Sequence, residues 1–382
     1  MSEPIRVLHV FAGLNCGGAE NLVMNLYRRM DRTKIQFDFA YYIQTSDYFV
    51  HEIQEMGGRV HLLPPPTARN IFFFLFRWWQ LLSKNKTYRI IHGHAQATSL
   101  VYLFFARLLR RNTILHAHTT HNGYGVKGLT RKIVQFPSRF LANTRLACSQ
   151  EAGEWLFGNK KKFAVFSNAI DPDRFRYDPI VSKNQKERLG VGGRFVIGHV
   201  GRFSPEKNHA FILDILECVV AQDRQTVLLL AGDGPLKSMI EERVKKKGLV
   251  DHVVFAGFSP DVEKLMMAMD LYIFPSWYEG FPLTLIEAQC AGLPCLISDA
   301  ISREVIKSPL VQRLSIQENR QRWVEKILEI KNQAQRQERG EWVSAFRNTC
   351  CDSRVQTIRY ETIIGQIRDS RTLLFNEKKV RD

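Results

Sequence analysis

Asp270-Leu-Tyr-Ile-Phe-Pro-Ser-Trp-Tyr-Glu279-Gly-Phe-Pro-Leu-Thr-Leu-Ile-Glu287-Ala-Gln-Cys-Ala-Gly-Leu-Pro-Cys-Leu-Ile-Ser-Asp299 reads as strand, turn, helix, strand. Residues 271–274 are a short apolar run closed by Pro275, and 278–281 form the turn. Pro282 suits the first position of a helix that reaches about Cys290, and Gly292 stops it before the next apolar run. A helix amino terminus directly after a parallel strand, with a glycine permitting close approach, suits an anion. Glu279 falls in the turn and Glu287 inside the helix, where carboxylates would accept from the neutral hydroxyls of a sugar or ribose. A plain βαβ unit with two solvated glutamates also fits this stretch by itself.

The alternation continues on both sides. Phe195-Val-Ile-Gly-His-Val-Gly201 is an apolar run leading into Arg202-Phe-Ser-Pro-Glu-Lys207. Strand, glycine, arginine and a proline-opened helix carrying a lysine bring two cations to one helix start, an arrangement suited to pyrophosphate; two solvated cations fit as well. Residues 228–231 lead into Gly232-Asp-Gly-Pro235 and a basic helix ending at Gly248, and 253–258 form a further strand and turn. Beyond Ser302 the chain reads as mainly helical and polar.

In the first half, residues 5–11 are an apolar strand, and Gly17-Gly18-Ala19-Glu20 opens an amphipathic helix to about Met30. Glycines at that point let backbone amides approach a phosphate, although the spacing is neither Gly-x-Gly-x-x-Gly nor a P-loop, and a flexible turn fits too. Short strands near 37–42, 59–63, 89–92, 112–117, 144–147 and 163–166 alternate with helical patterns, as in doubly wound parallel sheets. The expected fold is α/β, with two Rossmann-like domains, 1–180 and 181–360, facing across a cleft. Residues 179–184 read as the linker, and 361–382 as a helical end that packs back on the first domain.

With 382 residues and 45% hydrophobic content, the chain has material for two cores. Its net charge is +16, and residues 1–180 hold most of it, with 24 Lys and Arg against 12 Asp and Glu. Such a surface suits phosphorylated substrates, anionic lipid or nucleic acid. Seven scattered cysteines without a Cys-x-x-Cys pair suggest neither a disulfide framework nor a zinc ribbon, and indicate a reducing compartment. The first residues lack the layout of a signal peptide, and no stretch has the length of a membrane span.

Residues 69–86, Arg-Asn-Ile-Phe-Phe-Phe-Leu-Phe-Arg-Trp-Trp-Gln-Leu-Leu-Ser-Lys-Asn-Lys, have two readings: an interfacial helix with aromatics among lipid headgroups, or a helix covering the sheet. His92, His94, His116, His118 and His121 raise the question of a metal. The pairs at i, i+2 share a strand face, yet no acidic or thiolate ligand accompanies them at a typical spacing, so no metal is expected. His118 ends a strand, where carboxyl termini line the crevice of a parallel sheet, and its imidazole could donate to a substrate oxygen. Asp171-Pro-Asp173 could hold a divalent ion, but its turn chemistry favours a hinge.

Taken in order, Gly17-Gly18-Ala19-Glu20, Ala147-Cys-Ser-Gln150, Ser167-Asn-Ala-Ile-Asp171, Gly201-Arg202 with Lys207-Asn208, Leu230-Ala-Gly-Asp-Gly-Pro235 and Pro275-Ser-x-x-Glu279-Gly-Phe-Pro-Leu-Thr-Leu-Ile-Glu287 form a set. It resembles the retaining glycosyltransferases of the GT-B fold, family GT4 or group 1, of the type that assembles bacterial capsule, exopolysaccharide or lipopolysaccharide. The last motif is similar to that family's Glu-x7-Glu signature, and the likeness spans about residues 5–300. After Asp299 the sequence departs from the family, with Ala300-Ile-Ser-Arg-Glu304 where a Gly-Gly-x-x-Glu is common.

The resemblance implies a role for each matching residue. Arg202 and Lys207 would hold the donor's diphosphate and stabilise the leaving group, Glu287 would accept from ribose, and Glu279 would bind the donor sugar. Phe281, Pro282, Leu283 and Thr284 would offer backbone to sugar and phosphate. Gly17 and Gly18 would approach the same diphosphate, and His118 would contact the sugar near the reacting carbon. The implied activity is metal-independent, cofactor-free, retaining transfer of a hexosyl unit from a nucleotide-sugar donor, UDP-linked, to a lipid-linked saccharide acceptor. The expected setting is the cytoplasm, peripheral on anionic lipid at the inner face of the cytoplasmic membrane, without nucleic acid. A nucleotide-sugar epimerase and a basic polyanion- or RNA-binding protein are the alternatives; base-stacking aromatics in the order of an RNA module are missing.

Overall fold

The computed structural model describes residues 3–44, 47–120, 135–159, 162–317, 319–333 and 339–379. The chain forms two compact units, Met1–Ala169 with Ser353–Asp382, and Ile170–Asp352.

Seven strands make the sheet of the first unit: β1 (Ile5–Val10), β2 (Ile35–Tyr41), β3 (Val60–Leu62), β4 (Tyr88–Gly93), β5 (Asn112–Ala117), β6 (Thr144–Ala147) and β7 (Ala164–Val165). They pair in parallel in the order β3-β2-β1-β4-β5-β6-β7. Parallel neighbours need long crossovers, which helices such as Gly18–Arg29 and Ser99–Leu108 provide. Helices on both faces demand strands that are apolar throughout, and every residue of β2 is buried. Asp38 is tolerated inside β2 because Arg6 of β1 donates to it twice, at 2.6 Å each, and the Arg59 amide donates once more. The closing helix Ser353–Lys379 belongs to this unit, and its Tyr360 and Ile364 are fully buried in the core with Val7, Phe37 and Phe166.

The second unit repeats the plan with β8 (Phe195–Val200), β9 (Thr226–Ala231), β10 (Val253–Gly257), β11 (Leu271–Phe274), β12 (Cys295–Ser298) and β13 (Val311–Leu314). All pair in parallel, in the order β10-β9-β8-β11-β12-β13. In each sheet the strand order reverses once, between β1 and β4 and between β8 and β11. Carboxyl ends at such a reversal frame the ligand crevice of open α/β sheets.

Several expectations are revised. The units part at 169/170 and 352/353, not at 180 and 360. Residues 179–184 are not a linker but the start of the helix Pro179–Arg188. Asp178 caps it by accepting from the Ile180 and Val181 amides at 2.8 and 3.2 Å, and Pro179 takes the first turn. Ser182 Oγ then donates to the Met267 carbonyl and Lys186 reaches Asp270, both within the second unit. Beyond Ser302 a strand, β13, accompanies the helices. Pro282 is the residue before the helix Leu283–Cys290, not its first.

The helix Ile71–Lys84 has one buried stripe and one exposed face. Phe74, Trp78 and Leu82, spaced by four, are fully buried, whereas Phe72 is 84% exposed and Phe73, Phe76 and Trp79 are exposed with it.

Candidate functional site

At the reversal in the second unit, the turns after β8 and β11 are stitched together. The Trp277 amide donates to the Glu206 carbonyl at 2.9 Å, and Asn208 Nδ2 donates to the Pro275 carbonyl at 3.3 Å. Asn208 stands in the left-handed region, φ 57°, a conformation its short amide tolerates, and this lets the turn Pro205–Lys207 pass straight into the helix His209–Gln222. The result brings Lys207 Nζ to 2.6 Å from Glu279 Oε1 and 4.8 Å from the centre of the Phe274 ring. Both side chains of the pair are largely enclosed, 13% and 16% exposed. Arg202, directly beyond β8, is exposed. Lys207 and Glu279 thus come together as an ion pair, where the sequence assigned them to different parts of a ligand.

Two residues that sequence reasoning passed over lock β8 to β11 beneath this pair. His199 Nδ1 donates to the Ile273 carbonyl at 2.9 Å, and the Tyr272 hydroxyl donates to the Val200 carbonyl at 3.2 Å. Polar rings inside apolar strands were the available signal. Ser276, in the Pro-Ser-x-x-Glu motif, is buried, and its Oγ has no hydrogen-bond partner among the described residues.

Glu287 lies on the helix Leu283–Cys290 and is half-buried. Burial pushes its carboxyl up to about 7, against the pull of Arg174 and with a smaller push from Glu263. Phe281, Pro282 and Leu283 are buried in the preceding turn and first helical position, and Thr284 is half-buried.

The Gly-Asp-Gly-Pro motif after β9 acts on the same place. Gly232 has φ +136°, and a Cβ on it would stand 2.0 Å from the Gly201 carbonyl oxygen; one on Gly234 would stand 2.6 Å from the Phe203 oxygen. Only glycines let this turn lie against the Arg202 turn. The Phe203 amide donates to Asp233 and the Leu236 amide to Phe203, at 2.9 and 3.0 Å.

In the first unit, Gly17 precedes and Gly18 opens the helix Gly18–Arg29 without a side-chain cap. A Cβ on Gly18 would meet only Asn168 Nδ2 within 4 Å, at 3.6 Å, so packing does not demand glycine there. His118 directly follows β5 and is half-buried. It belongs to a cluster on one sheet face with His9, His92, His94 and His116; His9 pairs with His92 in register, and His9 was missed because it reads as part of an apolar strand. Burial holds His9 and His118 down to about 3 and His92, His94 and His116 well below their usual value, so all five are neutral. His9, His92 and His94, and likewise His94, His116 and His118, bring ring nitrogens within 4.8 Å of one another. Neither group includes a carboxylate or thiolate. His121 lies outside the described residues. Asp171 accepts from the Asp173 amide at 3.3 Å, and Asp173 takes Arg347 Nε at 3.1 Å, so the Asp-Pro-Asp segment serves as a capped turn.

Two doubly wound parallel units, each with one reversal of strand order, make this the GT-B fold. It is shared with Anabaena HepE in complex with UDP and glucose, at a TM-score of 0.81 and 19% identity over 94% of this chain and 99% of that one. Residues 16–174 match the profile of glycosyltransferase family 4 and residues 181–345 that of glycosyl transferases group 1. The putative glycosyltransferase EpsF of Bacillus subtilis is 36% identical over 337 residues, 85% of this chain and 88% of that protein. The chain belongs to this family, and it is a glycosyltransferase. An Escherichia coli relative, UDP-Gal:alpha-D-GlcNAc-diphosphoundecaprenol alpha-1,3-galactosyltransferase, is 27% identical over 62% of this chain and 65% of its own.

Proposed function

We propose that the protein moves a hexosyl unit, with retention and without a metal, from a UDP-sugar to a lipid-linked saccharide in the assembly of a bacterial surface polysaccharide. The observation that carries this reading is the Lys207–Glu279 pair, 2.6 Å apart at the β8/β11 reversal, with exposed Arg202 at the end of β8. A diphosphate reaching this point draws Lys207 and Arg202 and frees Glu279 to accept from sugar hydroxyls, while Glu287 accepts from ribose. As the bond from the sugar carbon to the diphosphate breaks, both cations meet the growing charge, an effect worth several kcal/mol in such sites. The acceptor oxygen bonds to the same face of that carbon, and its proton passes to the departing phosphate oxygen. No second carboxylate is required. From the first unit, Gly17 and Gly18 are assigned to the diphosphate and His118 to the sugar. The names of two relatives support donor and acceptor: the E. coli enzyme's gives UDP-Gal and a diphosphoundecaprenol, and HepE holds UDP and glucose.

Contact with the inner face of the cytoplasmic membrane is part of the proposal. No described helix is long and apolar enough to cross a membrane. Phe72, Phe73, Phe76 and Trp79 are exposed on one helix, with Arg77 over Phe73, and Arg139 lies 3.6 Å from the Phe136 ring elsewhere in the first unit. Aromatics edged by arginine suit an anionic headgroup layer.

The test is transfer from UDP-sugars by Arg202→Ala, Lys207→Ala and Glu287→Ala. Each is expected to lose most of the turnover while melting as a folded protein, and wild-type rates in all three would end the proposal. Chelator is expected to leave the rate unchanged; a loss restored by Mg²⁺ would return Asp171 and Asp173 to consideration. Release of a rearranged sugar with no acceptor present would make the protein an epimerase instead.

A further inference from the structure

Four histidines and one tyrosine of the first unit are joined end to end. His92 Nδ1 lies 2.8 Å from the Tyr360 hydroxyl, which lies 3.5 Å from His9 Nε2. His9 Nδ1 is 3.1 Å from His94 Nε2, and His94 Nδ1 is 2.8 Å from His118 Nε2. The two end nitrogens, His92 Nε2 and His118 Nδ1, are buried with no hydrogen-bond partner among the described residues.

A neutral imidazole has one N–H and one lone pair, and the phenol has one proton. Each link needs one proton, and each interior imidazole donates one link and accepts the other; Tyr360 does the same, because accepting at both sides would strand its own O–H at a fully buried residue, so all the links point the same way. In one sense His118 donates to His94, His94 to His9, His9 to Tyr360 and Tyr360 to His92, which strands an N–H at His92 Nε2. In the other sense the donations run from His92 outward and the spare N–H is His118 Nδ1. A buried N–H without an acceptor loses its hydration for no return, whereas an idle lone pair loses less. His92 is 1% exposed; His118 is half-buried at the carboxyl end of β5, the side of a parallel sheet where ligands bind. The spare donor belongs at His118. His116 stands beside the chain and does not feed it, because its Nε2 lies 3.3 Å from the Phe166 carbonyl, which can only accept.

We propose that His92, Tyr360, His9 and His94 form a one-way hydrogen-bond chain that holds His118 in its Nδ1–H form, so that this ring presents a donor to an oxygen of the substrate. The identity of that substrate as a UDP-sugar rests on the reading above; the chain does not. His9, His92, His94 and Tyr360 are positioning residues, and they set which nitrogen of His118 carries the proton.

A histidine side chain free in water favours the Nε2–H form, so the chain makes a distinctive forecast. In full-length protein labelled with ¹⁵N-histidine, long-range ¹H–¹⁵N correlation spectra, assigned by single His→Gln variants, will give Nδ1–H for His9, His92, His94 and His118. His116 will give Nε2–H as the internal contrast. His94→Phe removes the donor to His118 and will return that ring to the Nε2–H form. Nε2–H at His118 or at His92 in the wild type overturns the proposal, as does one equivalent of Zn²⁺ retained through dialysis, which would occupy the lone pairs. If His94→Phe does not fold, the wild-type spectrum alone decides. The measurement needs no turnover, so a protein inactive on UDP-sugars with four Nδ1–H rings would defeat the function proposed above and leave the chain standing.

Discussion

Glu287 carries its carboxyl at about 7 because burial disfavours the charge. A raised acid pKa means that the folded protein binds the proton more tightly than the unfolded chain does. The group therefore has no effect below the ordinary value of 4.5, destabilises increasingly as pH rises toward 7, and changes nothing further above it. The full effect is on the order of 3 kcal/mol. Glu287→Gln is expected to resist urea better than wild type at pH 8, with the gap closing near pH 5; an equal gap at both would assign the effect to packing. A donor that needs the ionised form releases up to one proton on binding at pH 6.5, measurable by calorimetry in buffers of different ionisation enthalpy. At this scale the sequence made single residues legible and their partners not. Glu279 and Lys207 stand out in their motifs, yet their pairing joins positions 72 apart. The i, i+2 spacing put His92 with His94 and His116 with His118, but Tyr360 is 268 residues from His92.

Among the elements, the helix Ile71–Lys84 separates a buried face from an exposed one. Phe74→Ala strikes the buried stripe and is expected to cost about 3–5 kcal/mol in urea denaturation. Replacing Phe72, Phe73 and Phe76 by serine is expected to leave stability nearly unchanged and to lower flotation with anionic liposomes; unchanged flotation would remove the membrane role. Apolar periodicity revealed this helix, but its aromatics run all round it, so the sequence could not say which face is covered. The helix Pro179–Arg188 failed to show itself for the opposite reason. Its only apolar residues are Ile180 and Val181, Ile180 is 70% exposed, and the positions it buries include Ser182 and Gln185. The Asp178 cap and Pro179 were the signals to follow. The turn after β9 carries a third prediction. Gly232→Ala must push the Gly201 carbonyl aside, which costs about 1–3 kcal/mol of strain, and it is expected to weaken UDP binding by shifting the Arg202 turn. Calorimetric titration with UDP checks this, and unchanged affinity would show that the turn does not position the arginine.

For the molecule as a whole, alternating apolar runs and helices made two doubly wound sheets legible, strand by strand, because parallel strands buried on both faces leave continuous hydrophobic signatures. The boundaries were less legible, since the chain leaves the first unit at Ala169, builds all of the second, and returns at Ser353. A single polypeptide covering 170–352 contains its entire sheet and is expected to melt cooperatively in isolation. A fragment ending at 352 is expected to lose the first unit's transition, because Tyr360 and Ile364 leave its core. Differential scanning calorimetry of both fragments against the full chain tests the division, and two intact transitions in the shorter chain would refute it.

The return of Ser353–Lys379 to the first sheet also fixes an order of events on the ribosome. Translation delivers the second unit in full while the first still lacks Tyr360, so the part synthesised earliest is the part completed last. Its unfinished core has to remain soluble for the time taken to make nearly half of the protein. A translational pause or premature stop near codon 352 would then damage the domain that had already been made and spare the one just finished.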